Sequence, residues 1–433
     1  MEIKLENIKE FSKKYNSNLT NKIIENAITT NGLENTMLDR NIIIENQPIF
    51  NIELPESSRY DQKDSYKCWI YAGFNVIKYN VAQNLNIDVK DLKLSSNYIS
   101  FFDRLEKANH LYNEILELDN VDFEYLEKEK ILDQAGEETG YWEFFKSLVL
   151  KYGLLPYEYM PDTKESIDVD RITTIYTEKV LKDVIKLIHL KEKVSKQELE
   201  HEIEKYLSED YEILSKILGE PPANFNYVYK DNKGKYCEYR NITPIEFKDK
   251  FLTLNLKDFV NIGNIPKHNI EYNKIYRRDN YKHIEESTLL NLPIEYLKDA
   301  SIKQLKDGIP VYMGIYVRQF RDKKSGILDT RLFDYDKTLG IESLTKEEGL
   351  NTARIKMHHF MTLTGVHIID GKPLRWKVED SYGDKEKVNG CYIMNDNYFD
   401  KYVFDVIVDR KYLSDKHIEL LNQEPIDYID NAF

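Results

Sequence analysis

Cys68 heads an apolar, helix-patterned run, Cys68-Trp69-Ile70-Tyr71-Ala72-Gly73-Phe74-Asn75-Val76-Ile77, with Gln62 shortly upstream in Asp61-Gln62-Lys63-Asp64-Ser65-Tyr66-Lys67-Cys68. The pattern predicts a thiol at a helix N-terminus, where the positive end of the dipole favours the nucleophilic thiolate. Gln62 adds a side-chain amide that, with a backbone N–H, can stabilise the oxyanion formed when a thiolate attacks a carbonyl. Alone, Cys68 would read as a small residue buried in a core helix. A nucleophile needs a histidine near in space, usually far in sequence. A candidate stands in Met357-His358-His359-Phe360-Met361-Thr362-Leu363-Thr364-Gly365-Val366-His367. The run after His359 reads as a strand, residues 374–379 and 390–394 read as two more, and Asp380-Ser381-Tyr382-Gly383 lies between those two. A polar residue leaving a strand there can accept a hydrogen bond from an imidazole N–H, so Asp380 is expected to orient His359.

These residues resemble the bleomycin hydrolase and aminopeptidase C branch of the papain-like cysteine peptidases. Around its nucleophile that family reads Gln-x-x-Ser-Gly-Arg-Cys-Trp-x-Phe-Ala, and Gln62, Ser65, Cys68, Trp69 and Ala72 stand at matching places. Its histidine block, Met-Thr-His-Ala-Met-x-Leu-Thr-Gly-Val, falls on His359 with His358 as neighbour. Its third block, Trp-Lys-Val-Glu-Asn-Ser-Trp-Gly, is here Trp376-Lys377-Val378-Glu379-Asp380-Ser381-Tyr382-Gly383. Further blocks in the same order cover nearly the whole chain, among them Leu94-Ser95-Ser96-Asn97-Tyr98 and Lys151-Tyr152-Gly153-Leu154-Leu155-Pro156. The resemblance implies an α+β fold: a papain-like core with a helical nucleophile half, a β-rich histidine half and a helical insertion. It also implies roles: Cys68 as nucleophile, His359 as general base, Asp380 as orienter, Gln62 at the oxyanion, and Gly140 and Trp69 in substrate binding. Family members form hexameric rings and carry a C-terminal arm whose carboxylate anchors the substrate amine, a role that would fall to Phe433. Neither a metal nor a cofactor is implied.

The chain departs from that pattern in places that bear on chemistry. Asp380 stands where the family has asparagine, and an anion beside the histidine favours imidazolium. Tyr382 replaces a tryptophan that shields the triad, and its hydroxyl needs a partner. Tyr66 and Lys67 replace Gly-Arg, so a positive φ at that point would strain the tyrosine. Glu138-Thr139-Gly140-Tyr141-Trp142 keeps only the second glycine of the family's Asp-Gly-Gly-Gln-Trp, which predicts a narrower cleft. The tail, Glu424-Pro425-Ile426-Asp427-Tyr428-Ile429-Asp430-Asn431-Ala432-Phe433, differs most.

Composition bounds the rest. With 433 residues, 41% hydrophobic and 31% charged, the chain reads as a soluble protein with a large core, and no run is long and apolar enough for a membrane span. Three cysteines make no disulfide framework, and the N-terminus has no basic region followed by an apolar one, so a cytoplasmic location is expected. Cys237 and Cys391 read as structural, and no Cys-x-x-Cys or His-Glu-x-x-His suggests zinc. A net charge of −14 argues against a nucleic-acid partner, leaving Lys274-Ile275-Tyr276-Arg277-Arg278-Asp279-Asn280-Tyr281-Lys282-His283 as a solvated loop. The same charge predicts faster encounter with cationic peptides.

Four segments are expected. Residues 1–160 hold the N-terminal segment and the mostly helical nucleophile half. Residues 161–290 are a helical insertion that could serve oligomerisation, with one stripe on Tyr176, Val180, Val184 and Ile188 and another on Leu199, Ile203, Leu207, Leu214 and Leu218. Residues 291–412 form the β-rich half, and 413–433 the arm. The chain is thus expected to be a cytosolic cysteine aminopeptidase acting on short peptides through a thioester on Cys68, a homo-oligomer, hexameric by resemblance. The substitutions at Tyr66, Thr139, Asp380 and Tyr382 motivate a second reading, a catalytically impaired ring-forming scaffold or peptide-binding homologue.

Overall fold

The computed structural model describes residues 1–118, 136–278, 285–383 and 390–427. At its centre runs the helix Cys68–Leu85, buried on every side from Trp69 to Lys78. A helix apolar all round belongs inside a core. It ends at Asn86, whose left-handed φ of 57° suits a C-terminal cap. The helices Ser96–Glu117 and Trp142–Tyr152 pack with it to complete the helical half.

The strands, in chain order, are β1 (Ile52–Glu53), β2 (Phe225–Lys230), β3 (Tyr236–Ile242), β4 (Phe259–Gly263), β5 (Lys274–Arg277), β6 (Thr288–Asn291) and β7 (Val311–Ile315). After them come β8 (Arg321–Asp322), β9 (Ile327–Leu328), β10 (His359–Ile369), β11 (Lys372–Glu379), β12 (Cys391–Asn395), β13 (Val403–Asp409) and β14 (Ile426–Asp427). Among the described residues, β2 and β3 form a separate hairpin and all the others join one sheet, ordered β14-β5-β6-β4-β13-β7-β10-β11-β12-β9-β8, with β1 against β10. The first eight residues of β10 are all buried, because the central helix covers one face of this part of the sheet. This is the α+β arrangement expected from the sequence, with helices and sheet meeting along Cys68–Leu85.

A buried ionic cluster joins the two halves. Glu379, at the end of β11, is held by Lys78 of the central helix at 2.9 Å and by Arg59 at 2.7 Å, and it accepts from the Ser57 hydroxyl at 3.0 Å. Burial alone would raise its pKa, but Lys78 and Arg59 hold the carboxyl below its usual range.

Residues 161–290 differ from a purely helical insertion. Two long helices are present, Asp170–Lys191 and Lys196–Leu218, the second opened by a Ser195–Glu198 capping box. Both pack on Ser96–Glu117, so their stripes are buried within the chain, with Leu187 and Tyr206 more deeply placed than the expected Ile188 and Leu207. From Phe225 onward most of the segment's regular elements are strands, and β4, β5 and β6 belong to the large sheet. These strands are four or five residues long, too short to impose a period-2 pattern on the sequence. The basic stretch begins as β5 rather than as a loop. Arg277 pairs with Glu286, Glu424 and Asp427, and buried Arg278 pairs with Asp405; residues 279–283 lie outside the described residues.

Candidate active site

Cys68 is the first residue of the central helix, and its thiol lies 4.0 Å from the carbonyl oxygen of Tyr66. His359 is the first residue of β10, and Asp380 directly follows β11. The antiparallel register pairs Thr362 with Glu379, so the end of β11 returns beside the start of β10. There His359 Nε2 meets Asp380 Oδ1 at 2.8 Å, and the same oxygen accepts the Ser381 N–H at 2.7 Å. With Nε2 engaged, Nδ1 is the ring nitrogen left for Cys68, which also hydrogen-bonds the imidazole. Burial pushes the imidazole pKa down, but the charge of Asp380, that of Cys68 and the two hydrogen bonds outweigh it and raise His359 from 6.5 to about 10. Its neighbour His358 moves the other way, to about 4, through burial and then the positive charges of His359, Arg318 and Arg321. At neutral pH two adjacent histidines therefore carry opposite protonation states.

Gln62 is buried and fixed from the segment that follows Asp380. Its backbone N–H donates to the Ser381 carbonyl at 2.6 Å, its side-chain oxygen accepts from the Ser381 hydroxyl, and its Nε2 donates to the Tyr382 hydroxyl at 3.1 Å. The substituted tyrosine thus has its partner in the expected oxyanion residue. An amide NH2 has two hydrogens, so one remains for a ligand. Tyr66 has the φ of 55° that a glycine would adopt freely, and its side chain is 55% exposed at the cleft rim.

Gly140 and Trp69 meet as well. A Cβ at Gly140 would stand 2.7 Å from the Trp69 ring, so only glycine lets this strand of backbone cross the indole. Trp69 is 1% exposed and forms the backing of Gly140. The segment is held in place by Lys107, which donates to the carbonyls of Glu137 and Thr139 at 2.7 and 2.6 Å and pairs with Asp103 at 2.7 Å. No local feature of the sequence marks Lys107 for that task, since Glu137 and Thr139 stand 30 and 32 residues further along the chain. Phe433 lies outside the described residues. Together Cys68, His359, Gln62, Trp69, Gly140 and Tyr382 line a cleft of about 800 Å³, with Asp380 behind His359. Among the described residues no cluster of His, Cys, Asp and Glu is placed to hold a metal ion.

A cysteine, a histidine and a carboxylate in contact at one cleft are the groups of a thiol acyl-transfer centre. Residues 2–430 match the model of the Peptidase C1-like family. The chain belongs to that family. Among Peptidase C1-like relatives it is similar to Aminopeptidase E of Lactobacillus helveticus, 35% identical over 97% of this chain and 96% of that one. It is similar also to Aminopeptidase C of Listeria monocytogenes, 32% identical over 98% of this chain and 96% of the relative. The crystal structure of PepW from Lactobacillus rhamnosis superposes with a TM-score of 0.91 at 32% identity, covering 98% of this chain and 97% of that one. The chain is thus a papain-like cysteine peptidase of the aminopeptidase C branch, as its sequence blocks imply.

Proposed function

We propose that the protein is an aminopeptidase that removes N-terminal residues from short peptides through a thioester on Cys68. The observation that carries this reading is the His359 contact with both Asp380 and Cys68, which stabilises a proton on the imidazole at neutral pH. The Cys68 thiolate attacks the scissile carbonyl, and the oxyanion takes the free N–H of Gln62. His359 then gives its proton to the leaving amine as the C–N bond breaks. Water, deprotonated by His359, attacks the thioester and regenerates the thiolate. Asp380 keeps the imidazole oriented throughout. In this reading the intact hydrogen bonds at Asp380 and Tyr382 favour an active enzyme over an impaired scaffold.

The same reading assigns the substrate α-amine to the carboxylate of Phe433. In support, β14 runs parallel to β5, and Arg278, next after β5, places its guanidinium 5.1 Å from the ring of Tyr141, a cleft residue. The residues beyond Asp427 span on the order of 20 Å if extended. A cytoplasmic location is proposed from the three free cysteines. A homo-oligomer, hexameric by resemblance, is proposed with support from the apolar side chains that the N-terminal helices leave exposed, including Ile8, Phe11, Leu19 and Ile23.

The test is hydrolysis of aminoacyl fluorogenic amides and their N-acetylated counterparts by wild type and Cys68→Ala. Turnover of free-amine substrates alone, reduced at least about 1,000-fold in Cys68→Ala, is expected. Equal turnover of blocked substrates would refute the aminopeptidase assignment, and Cys68-independent turnover would refute the thioester.

A further inference from the structure

The chain carries a net charge of −14, yet the charge facing its catalytic cleft has the opposite sign. Arg318, Arg321 and Lys323 line the cleft against one carboxylate, Asp61. The two arginines stand on the wall of His359: β7 pairs Ile315 with His359, and the chain leaves β7 through Tyr316 and Val317 into Arg318. Their segment is pinned from behind. The Tyr398 hydroxyl donates to the carbonyls of Tyr316 and Gln319 at 3.0 and 2.9 Å, and the Tyr402 hydroxyl donates to Gln319 Oε1 at 3.1 Å. Between the arginines, Phe320 is buried at a φ of 49°, a conformation that strains a bulky residue and persists where the surroundings enforce it.

Neither guanidinium has a hydrogen-bond or ion-pair partner among the described residues. The adjacent carboxylate, Asp322, is occupied in accepting the backbone N–H groups of Lys324 and Ser325 at 3.3 and 3.0 Å. Both arginines also border a neighbouring cavity of about 310 Å³, lined in addition by Glu34, Glu342 and Arg354. After burial and the charge of His359, the two arginines also oppose protonation of His358.

His359 must reach the leaving amine, so the leaving half of a bound peptide lies along the wall that carries it. We infer that Arg318 and Arg321 form a carboxylate-binding subsite for the leaving half of the substrate, taking the C-terminal carboxylate of a very short peptide or an acidic side chain at that place. The inference rests on the peptidase reading above. Planar guanidiniums suit carboxylates, and a cleft focuses their field, so local charge here opposes the preference for cationic peptides that net charge alone implies.

The test is calorimetric binding to the full-length Cys68→Ala protein of three probes: alanyl-alanine, alanyl-alanine amide and alanyl-aspartic acid α-amide. At least one carboxylate-bearing probe is expected to bind about tenfold more tightly than the neutral amide, and which one does so identifies the carboxylate. That difference should disappear when Arg318→Gln and Arg321→Gln are added, and persist in part with Arg318→Lys and Arg321→Lys. Equal affinity for all three probes, or no binding of any, would overturn the subsite, as would discrimination unchanged by the glutamines. Failure of the peptidase reading shows separately, as absent Cys68-dependent turnover of neutral aminoacyl amides by wild type.

Discussion

Glu379 and Asp380 are consecutive carboxylates, both buried, at the end of the same strand, and they do different work. Alternation along a strand sends neighbouring side chains to opposite sides. Glu379 meets two cations, Lys78 and Arg59, which lock the helical half to the sheet. Asp380 accepts the Ser381 N–H and holds His359, which can gain and lose a proton. The kind of partner, not the carboxylate itself, separates a structural clamp from a part of the chemistry.

The largest effect should come from the clamp. Glu379→Gln leaves Lys78, wholly buried, without its counter-charge, and breaking a buried pair in this way costs about 3–5 kcal/mol. Urea or thermal denaturation should show that loss, while the pH dependence of the remaining folded enzyme stays as in wild type. A stable Glu379→Gln protein with an altered pH profile would erase the distinction between the two carboxylates. Asp380→Asn should do the reverse, with a smaller loss that depends on pH. Because the fold raises His359 from 6.5 to about 10, the associated stability is fully present below about pH 6.5 and is lost as pH rises through about 10. The wild-type advantage over Asp380→Asn should shrink across that window.

The smallest effect is expected at Tyr382. Tyr382→Phe removes the acceptor for Gln62 Nε2, a hydrogen bond of roughly 0.5–1 kcal/mol, so kcat should fall about two- to fivefold with little change in KM. Unchanged kcat would mean that the Ser381 contacts alone hold the amide.

The functional half of this comparison was legible in the sequence, and the structural half was not. Cys68, His359 and Asp380 stand in local blocks whose order identifies them, and the strands around them follow from apolar, β-branched runs. Glu379 stands in the same block as Asp380, but its role as a clamp does not show there, because Lys78 and Arg59 are about three hundred residues away in the chain and meet it only after folding. Arg318 and Arg321 stand in none of those blocks; their significance comes from the register that brings Ile315 against His359. The short strands β4, β5 and β6 were hidden for a related reason, since their place in the sheet depends on β13, far downstream, more than on their own pattern.

The central claim is that Asp380 and Cys68 keep His359 protonated for chemistry. The most direct measurement is the pH profile of kcat/KM for a free-amine substrate in wild type and Asp380→Asn. The alkaline limb, which reports loss of the His359 proton, should lie near pH 10 in wild type and move down by at least about one unit in the variant. Coincident alkaline limbs in the two proteins would contradict it.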